Sequence, residues 1–363
     1  MLLSPCCLGM QFLLLLHSNE LDIRSYLLIL DLQWILYHAG LCIYNVFFHP
    51  LRHFPGPKLG ASTQLVNVYY ILRGVNSRYL CDLHEKYGDV VRSGPNELSF
   101  RSASAIKTIY GGKPAPMDTF NKNSIANLQE TKDCNNVFFA TGEQHARYRK
   151  LLAPAFSEST IRAQEPMIRD YCNQLVQGLR NRSNGGNNQD RGRIVDMTPW
   201  TNFIVSDILS HMLFGTGLSC LKNAECHPWA AAGYQAHIES TYIEAAYRLR
   251  PYHKLCEYLF VPASLKKGFQ VHHATSLQKI EERETQKEKY PFDLLSFVSK
   301  DLSREELFDN INVIATAAGE TISSTLSSAL YYLAHNAEPY QKLVSEIRDA
   351  FATSEDITAT SSA

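Results

Sequence analysis

The sequence lacks a surplus of charge of either sign. Its 35 lysines and arginines nearly balance its 36 aspartates and glutamates, leaving a net charge of -1 at pH 7. Without a broad positive field there is little to attract a phosphate backbone, so we expect no nucleic-acid partner. Hydrophobic residues make up 45% and charged residues 20%, which is typical of a globular chain. A chain of 363 residues is long enough for one large domain or two ordinary ones.

Patterned cysteine is also lacking. Nine cysteines are scattered from Cys6 to Cys256 without a C-x-x-C pair or the spacing of a zinc site. An odd, unpatterned set indicates a reducing compartment rather than a disulfide framework. We therefore expect free thiols, Cys220 and Cys226 among them, and the sequence predicts no set of metal-ligating residues.

The N-terminal segment contains an apolar run that is long enough to cross a bilayer. The first run, Phe12 to Leu16, is too short to span, and no basic region precedes it, so a cleaved signal peptide is a poor match. The second run, Tyr26 to Phe48, has the length of a membrane helix. Arg52 and Lys58 follow it, which favours a cytosolic position for the rest of the chain. We predict a membrane anchor in residues 1–48; the alternative is an apolar helix packed on its own domain.

The segment after the anchor predicts a hinge and then a small β element. In residues 54–58, FPGPK, two prolines flank a glycine, which is typical of a rigid, non-helical elbow, and we place the hinge at residues 49–58. CDLHEKYG predicts a helix that ends at Gly88, and VVRSGPNELSF predicts a hairpin. Residues 59–363 are predicted to form one domain that is mainly α with this small β element.

Capping signals and apolar periodicity place the helices that follow. The longest has apolar residues on nearly every face and is predicted to run through the centre of its domain. The last has a single apolar face, and residues 181–193 are predicted to be a polar loop. The predicted helices are one opened by a capping box at Thr141 and closed by Pro154, then Ile161 to Leu179, Asp196 to Phe214 ending at Gly215, Leu265 to Lys289, Ser303 to Ala334, and one that starts at Asn336 and reaches Phe351.

The long central helix carries one isolated carboxylate. Glu320 is the only formal charge in residues 310–337. Small residues precede it, and the hydroxyl of Thr321 can turn back to the carbonyl of Ala317, four residues earlier. Such a turn would form a shallow notch that could hold a diatomic molecule or a water beside a larger flat ligand, with Glu320 relaying protons. The alternative is close helix packing, with Glu320 paired to an arginine.

Residues 317–321, AAGET, resemble the central-helix signature of the cytochrome P450 haem-thiolate monooxygenases, which is Ala or Gly, Gly, any residue, an acid and Thr. The match departs at Ala318, where glycine is usual, and at Ile322, where a second Thr or Ser is usual. HPLRHFPGPKL resembles the hinge of the microsomal members, particularly those of filamentous fungi, and KYGDVVRSGPNELSF resembles their first helix-to-hairpin passage. The resemblance extends from about Tyr26 to the last residue.

EQHARYRKLLAPAFS resembles the third helix of the same family, where Trp or His is followed four residues later by Arg. Here these residues are His145 and Arg149, which lie one turn apart on one face of a helix. The resemblance implies that they pair with a haem propionate, which suits a guanidinium well. The alternative is a basic surface face that also includes Arg147 and Lys150.

The resemblance implies a haem cofactor and a monooxygenase that hydroxylates or epoxidises a small lipophilic substrate, with fungal secondary-metabolite biosynthesis as the expected setting. The implied catalytic residues are Thr321, which would position dioxygen and its waters, and Glu320, which would deliver protons. The implied cofactor-binding residues are His145, Arg149, Ala317 and Ala318. Electrons would come from an NADPH-dependent flavoprotein reductase, and the protein would sit in the endoplasmic reticulum membrane on a single-pass anchor with a cytosolic domain. Residues 111–139 and 229–260 would shape the substrate pocket.

The family's axial cysteine has no counterpart that can be assigned in this sequence. No cysteine follows Cys256, and Cys220 and Cys226 precede the central helix, in the wrong part of the fold. The expectation is a partial fold of this family that is truncated after the helix following the central one. Three interpretations stay open: a truncated form of a working enzyme, a catalytically inactive membrane-anchored relic, or a small-molecule-binding protein.

Overall fold

A computed structural model describes residues 23–111, 120, 122, 135–183, 194–286, 291–298, 300–358 and 361. It divides into two compact units, Met1–Phe120 and Asn121–Ala363, and each is described by itself. The predicted domain limits at residues 48 and 58 stay predictions. The predictions made for residues 12–16 and for most of the polar loop, residues 184–193, lie outside the described residues.

The first unit combines short helices with one hairpin. Its two strands are antiparallel, with Val90 opposite Phe100, and confirm the predicted hairpin. The helix before them ends at Gly88, as predicted, where a φ of +97° suits glycine. The elements are α1 (Ile23–Phe47), a 3-10 turn (Pro50–His53), α2 (Lys58–Ser62), α3 (Leu65–Leu72), α4 (Asn76–Tyr87), β1 (Val90–Gly94), β2 (Glu97–Phe100) and α5 (Ala103–Tyr110).

Helix α1 contains a stretch that is long and apolar enough to span a membrane. This stretch is Leu27–Phe47, 21 residues, and none of it is buried inside the protein. The apolar side chains of α1 therefore face outward, so the alternative of a helix packed on its own domain does not describe this structure. Length and composition agree with the predicted anchor.

The predicted hinge packs directly on β1. The buried guanidinium of Arg92 donates to the carbonyl oxygen of Asn45 near the end of α1, at 2.9 Å, and the backbone N–H of Arg92 donates to Pro55 O at 2.8 Å. The side chain of Asn45 donates to Ser62 O at 2.9 Å. A Cβ on Gly56 would lie 2.3 Å from Arg92 O, so only glycine fits there. The elbow is rigid because it is fixed to both α1 and the hairpin.

Every regular element described in the second unit is a helix. Its elements are α6 (Gly142–Leu152), a 3-10 turn (Ala153–Phe156), α7 (Glu158–Ser183), α8 (Met197–Phe214), α9 (Cys220–Asn223), α10 (Pro228–Tyr247), α11 (His253–Phe260), α12 (Ala263–Thr285), α13 (Leu294–Val298), α14 (Arg304–His335), α15 (Ala337–Ala350) and a 3-10 turn (Ser354–Asp356). The mainly α architecture with one small hairpin confirms the predicted fold class.

The capping signals were confirmed at α8 but not at α6. Asp196 caps α8 by accepting from the backbone N–H of Thr198, and Gly215 ends α8 with a φ of +74°. Thr141 precedes α6 but makes no capping hydrogen bond, so the predicted capping box is wrong there. The reason is that the Gln144 side chain, which should reach back, donates instead to a tyrosine hydroxyl one turn later.

The core of the second unit forms around α8. Most of α8 is buried, including Trp200, Phe203 and Phe214, and α14 packs along it. The buried carboxylate of Asp207 accepts three backbone N–H groups of the turn that follows α8, at 2.8 to 3.0 Å. This carboxylate fixes the turn and with it the position of buried Cys220.

The prediction that α14 runs through the centre of its domain is correct only for its first half. Leu307 and Ile311 are buried, whereas Leu326 and Leu330 are exposed. The reason is length: α14 has 32 residues, about 48 Å, and α8 has 18, about 27 Å. The hydroxyls of Thr201, near the start of α8, and Ser327 meet at 2.7 Å. The predicted apolar face of α15 is exposed as well in the described structure.

Candidate functional site

The hydroxyl of Thr321 turns back onto the main chain of α14. It donates to the carbonyl oxygen of Ala317 at 2.9 Å, with a longer contact of 3.4 Å to that of Ala318. This confirms the geometry predicted from the sequence. Because its proton is committed to the helix, the oxygen keeps its lone pairs for a donor outside the helix.

The residues of the 317–321 turn point to three different sides of α14. Ala317 and Thr321 are exposed and form a strip with little side-chain bulk. Ala318 is half-buried and lines an apolar groove of about 360 Å³ between α7, α8 and α14. Exposed Glu320 lines a small cavity that also includes residues of α8, α10 and α12. The turn therefore presents Ala317 with Thr321, whereas Ala318 and Glu320 contact other surroundings.

The predicted cationic pair lies on one face of α6. His145 is half-buried and Arg149 is exposed. Burial lowers the pKa of the His145 imidazole, and the positive charges of Lys122 and Arg149 lower it further. Lys122 donates its ammonium protons to Phe138 O and to Ala140 O, the latter at 3.2 Å. Lys122 is a member of this site that the sequence did not indicate, because its loop has no periodicity.

None of these three cations forms an ion pair with a carboxylate in the part of the chain that the structure describes. The ion pairs seen there involve other residues, for example Arg101 with Asp89 and Arg283 with Asp293. Basic side chains that gather without an acidic partner suit an anionic ligand, and a guanidinium can bind a carboxylate through two hydrogen bonds.

The alternative of an undivided basic surface on α6 does not hold, because Arg147 is occupied. Its guanidinium contacts the Glu306 carboxylate at 2.5 Å, and the buried Tyr148 hydroxyl donates to the same carboxylate at 3.0 Å. The hydrogen bond from Arg147 is the main reason that the pKa of Glu306 falls to about 2. Glu306 also completes a capping box with Ser303. The S-x-x-E spacing was the signal that could have identified Glu306.

Buried Asn310 holds the segment that leads into α6. Its side chain donates to Asn135 O at 3.0 Å and accepts from the backbone N–H of Val137 at 2.9 Å. The neighbouring Asp309 accepts from the backbone N–H of Asn135 at 3.1 Å. Of the segment predicted to shape a pocket, residues 112–119, 121 and 123–134 lie outside the described residues.

The structure does not join the cations of α6 to the turn of α14. Thr321 lies 15 residues beyond Glu306, which corresponds to about 22 Å of helix. Within the described residues, no side-chain hydrogen bond connects His145 or Arg149 to residues 317–321.

The residues present fit part of a haem site. The cations suit its propionates, and the strip of Ala317 and Thr321 leaves room beside a flat ligand. The described cysteines of this unit do not suit the axial position, which requires a thiolate. Burial raises the pKa of Cys220 to about 12 and raises the pKa of Cys172, Cys226 and Cys256. All four cysteines precede α14, and no cysteine follows Cys256, so no residue of this chain is assigned as the axial ligand.

Comparison with known proteins identifies the family. The profile named Cytochrome P450 matches residues 55–362. Cytochrome P450 monooxygenase FrzC of Cladobotryum sp is 63% identical over 91% of this chain and 67% of its own length. Cytochrome P450 monooxygenase lnbC of Aspergillus flavus is 45% identical over 94% and 68%, and the trichothecene C-15 hydroxylase of Fusarium sporotrichioides is 32% identical over 89% and 65%. The chain spans about two thirds of the length of these relatives. It belongs to the cytochrome P450 family of oxidoreductases.

Proposed function

We propose that this chain is part of a haem-dependent monooxygenase that hydroxylates or epoxidises a small lipophilic substrate. It contributes the residues on the oxygen-binding side of the haem and the residues that bind the haem carboxylates. The observation that carries the proposal is the group of three basic residues, Lys122, His145 and Arg149, that lacks a carboxylate partner among the described residues of a cytochrome P450 chain. Haem, when bound, supplies the reductive activation of dioxygen. Fungal secondary metabolism is the proposed setting, supported by the relative named as a trichothecene hydroxylase.

Each residue at the site has a role that its surroundings support. Arg149 and Lys122 bind the carboxylates of the cofactor, and His145, whose lowered pKa favours the neutral imidazole, contributes a hydrogen bond. Thr321 presents an oxygen lone pair to a water outside the helix, because its own proton is held by the carbonyl of Ala317. Glu320, the next residue back, is exposed and can exchange a proton with solvent.

Ala317 and Ala318 are proposed as cofactor contacts for a different reason. Their methyl groups leave space that a larger side chain would fill. Ala317 shares the exposed strip with Thr321, which supports its role, whereas Ala318 lines the apolar groove and contacts the cofactor only if the cofactor extends to that side.

The proposed location is the endoplasmic reticulum membrane, with residues 1–48 as a single-pass anchor, residues 49–58 as the hinge and residues 59–363 as the catalytic part in the cytosol. The support is the exposed apolar helix α1 and the basic residues Arg52 and Lys58 that follow it. An NADPH-dependent flavoprotein reductase on the same membrane is the proposed electron donor.

Haem titration of the detergent-solubilised full chain tests the proposal. Arg149→Ala should weaken haem binding about tenfold, since a hydrogen bond to a charged group contributes about 1.5 kcal/mol or more. Lys150→Ala removes the neighbouring exposed charge and should leave the affinity unchanged. After reduction and addition of carbon monoxide, we expect no thiolate-type absorption band, because no cysteine follows Cys256 and none is assigned as the axial ligand.

Two results of the titration would contradict the proposal. Equal losses for Arg149→Ala and Lys150→Ala would show that the cations act only as a general positive field. A second candidate function, binding of a lipophilic molecule without oxidation, is favoured by the apolar groove between α7, α8 and α14. It would replace the first if the chain bound no haem but was stabilised against heat by a lipophilic compound.

A further inference from the structure

His272 of α12 is buried with its tautomer fixed. Its side chain is 4% exposed, and its ring stacks on that of Trp229, with centroids 5.0 Å apart and planes 19° apart. The imidazole Nδ1 lies 3.1 Å from Trp229 O. A carbonyl oxygen only accepts, so Nδ1 must carry the proton. Burial lowers the pKa of His272 and keeps the ring neutral, which leaves Nε2 as an acceptor.

This acceptor is left without a partner. Nε2 of His272 has no hydrogen bond to any described residue, although it is fully enclosed. The polar groups around it are paired: Trp229 Nε1 donates to Ser276 Oγ at 2.8 Å, and Ser276 Oγ donates to Asn312 Oδ1 at 2.9 Å. A buried polar atom without a partner costs free energy, so its persistence in an otherwise satisfied network points to a bound molecule.

A cavity of the size of one water lies beside His272. The space open to the centre of a water molecule is about 20 Å³, and one water needs about 10 to 15 Å³ in the same measure. Ser206, His272 and Glu320 line the cavity, together with Thr316. Ser206 is buried. An acceptor, a hydroxyl and a carboxylate give a water the three partners that are typical of buried sites.

We propose that this cavity binds one ordered water that joins Nε2 of His272 to the carboxylate of Glu320. The water donates one hydrogen to Nε2 and the other to a carboxylate oxygen, and it accepts the hydroxyl hydrogen of Ser206. A carboxylate accepts several hydrogen bonds, so this one is compatible with others at Glu320. His272 is then a positioning residue for Glu320. The water site stands by itself; only its effect on proton delivery rests on the proposed function.

Gly233 of α10 offers a way to remove the water without touching its partners. A Cβ at this position would lie 3.5 Å from Cε1 and 3.7 Å from Nδ1 of His272, which is ordinary van der Waals contact. Gly233→Ala should therefore place a methyl group in the cavity without a clash. Alanine also favours a helix more than glycine does, so the variant should fold. His272→Phe, which keeps the stacked ring but has no acceptor, is the matched second variant.

Nuclear magnetic resonance of the full chain in detergent, with ¹⁵N-labelled histidine, reads the site directly. The His272 signals are identified by their loss in His272→Phe. We expect a protonated Nδ1, an unprotonated Nε2 and a nuclear Overhauser effect between the ring and a bound water. In Gly233→Ala the water signal should disappear and the Nε2 shift should change, while the protein remains folded. A proton on Nε2, or a ring without a water signal in the unsubstituted protein, would overturn the proposal.

The positioning role has its own measurement in a preparation that oxidises substrate. Gly233→Ala should raise the share of NADPH electrons released as peroxide by about twofold to tenfold, less than the hundredfold that a general acid or base contributes. An unchanged share despite loss of the bound water would overturn the positioning role. A haem affinity that Arg149→Ala leaves unchanged would instead count against the proposed function, because the magnetic resonance result does not depend on haem.

Discussion

The two halves of α14 are similarly apolar but differently covered. In the first half Ile311 is 0% exposed, enclosed where α14 packs on α8, α10 and α12. In the second half Leu326 is 42% exposed. The residues of the proposed chemistry, Glu320 and Thr321, lie where one half changes into the other. One half of the helix therefore stabilises the fold, and the other presents a surface.

The change coincides with the end of the neighbouring helix. The hydroxyl contact between Thr201 and Ser327 comes from the first turns of α8, so little of α8 remains to cover the residues that follow. A change in burial along one helix lets its exposed half vary or bind a ligand without loss of the core. The comparison predicts that stability responds most to substitutions of the buried residues in the first half, and that the proposed chemistry responds to substitutions in residues 317–321.

The largest expected effect is on the free energy of unfolding, and it is seen by truncating one apolar side chain in each half of α14. Ile311→Ala should lower the free energy of unfolding by about 3 kcal/mol, because it opens a cavity in a closed core. Leu326→Ala should cost less than about 1 kcal/mol, since much of its side chain already faces water. Urea unfolding followed by tryptophan fluorescence reports Trp200 and Trp229 near the core. Similar losses for both variants would contradict the division of α14.

A smaller effect tests how the first half is fixed to α6. Glu306→Gln should cost about 1 to 2 kcal/mol at neutral pH, because it weakens the hydrogen bonds with Arg147, Tyr148 and the cap at Ser303. Glu305→Gln, an exposed neighbour in the same first turn, is the control and should cost a few tenths of that.

The same pair of variants gives a pH dependence. The pKa of Glu306 in the folded protein, about 2, is below the ordinary value of 4.5, so it is the ionised form that stabilises the fold. Its contribution is complete above pH 4.5 and is lost as the pH falls toward 2. The difference in unfolding free energy between the unsubstituted protein and Glu306→Gln should shrink over that window. A difference that does not change with pH would show that the charge is not involved.

The smallest effect on stability is expected in the second half. Thr321→Ala removes an exposed hydroxyl that bonds its own helix, and it should change the unfolding free energy by less than about 0.5 kcal/mol. In a preparation that oxidises substrate, the same variant should divert reducing equivalents to peroxide. Thr325→Ala, one turn later, loses a similar bond to Thr321 O and serves as the control. Equal peroxide from both variants would contradict a specific role for Thr321.

Local features of the fold could be predicted because their physics is local. The end of α8 at Gly215 and the bond from Thr321 to Ala317 depend only on residues within one turn. The capping box at Thr141 failed for a related reason, because a tyrosine on the next turn competed for the Gln144 side chain.

Features that depend on packing could not be predicted from the sequence. Lys122 acts electrostatically on His145, 23 positions later in the sequence, and His272 contacts Trp229 of another helix. Neither pair has a spacing that a single sequence could indicate. The apolar pattern of α14 showed that much of its surface is suited to burial. It did not show which residues of other helices pack on that surface.

The bond between Arg92 and the end of α1 has a mechanical consequence. A membrane helix is usually joined to the following domain by a flexible segment, so a change in the tilt of the helix does not move that domain. Here the carbonyl of Asn45 is tied to a guanidinium on β1, and the Asn45 side chain is tied to α2. Helix α1 and the hairpin of β1 and β2 therefore rotate together. In the proposed membrane position of α1, a change in bilayer thickness that tilts α1 would tilt the hairpin with it.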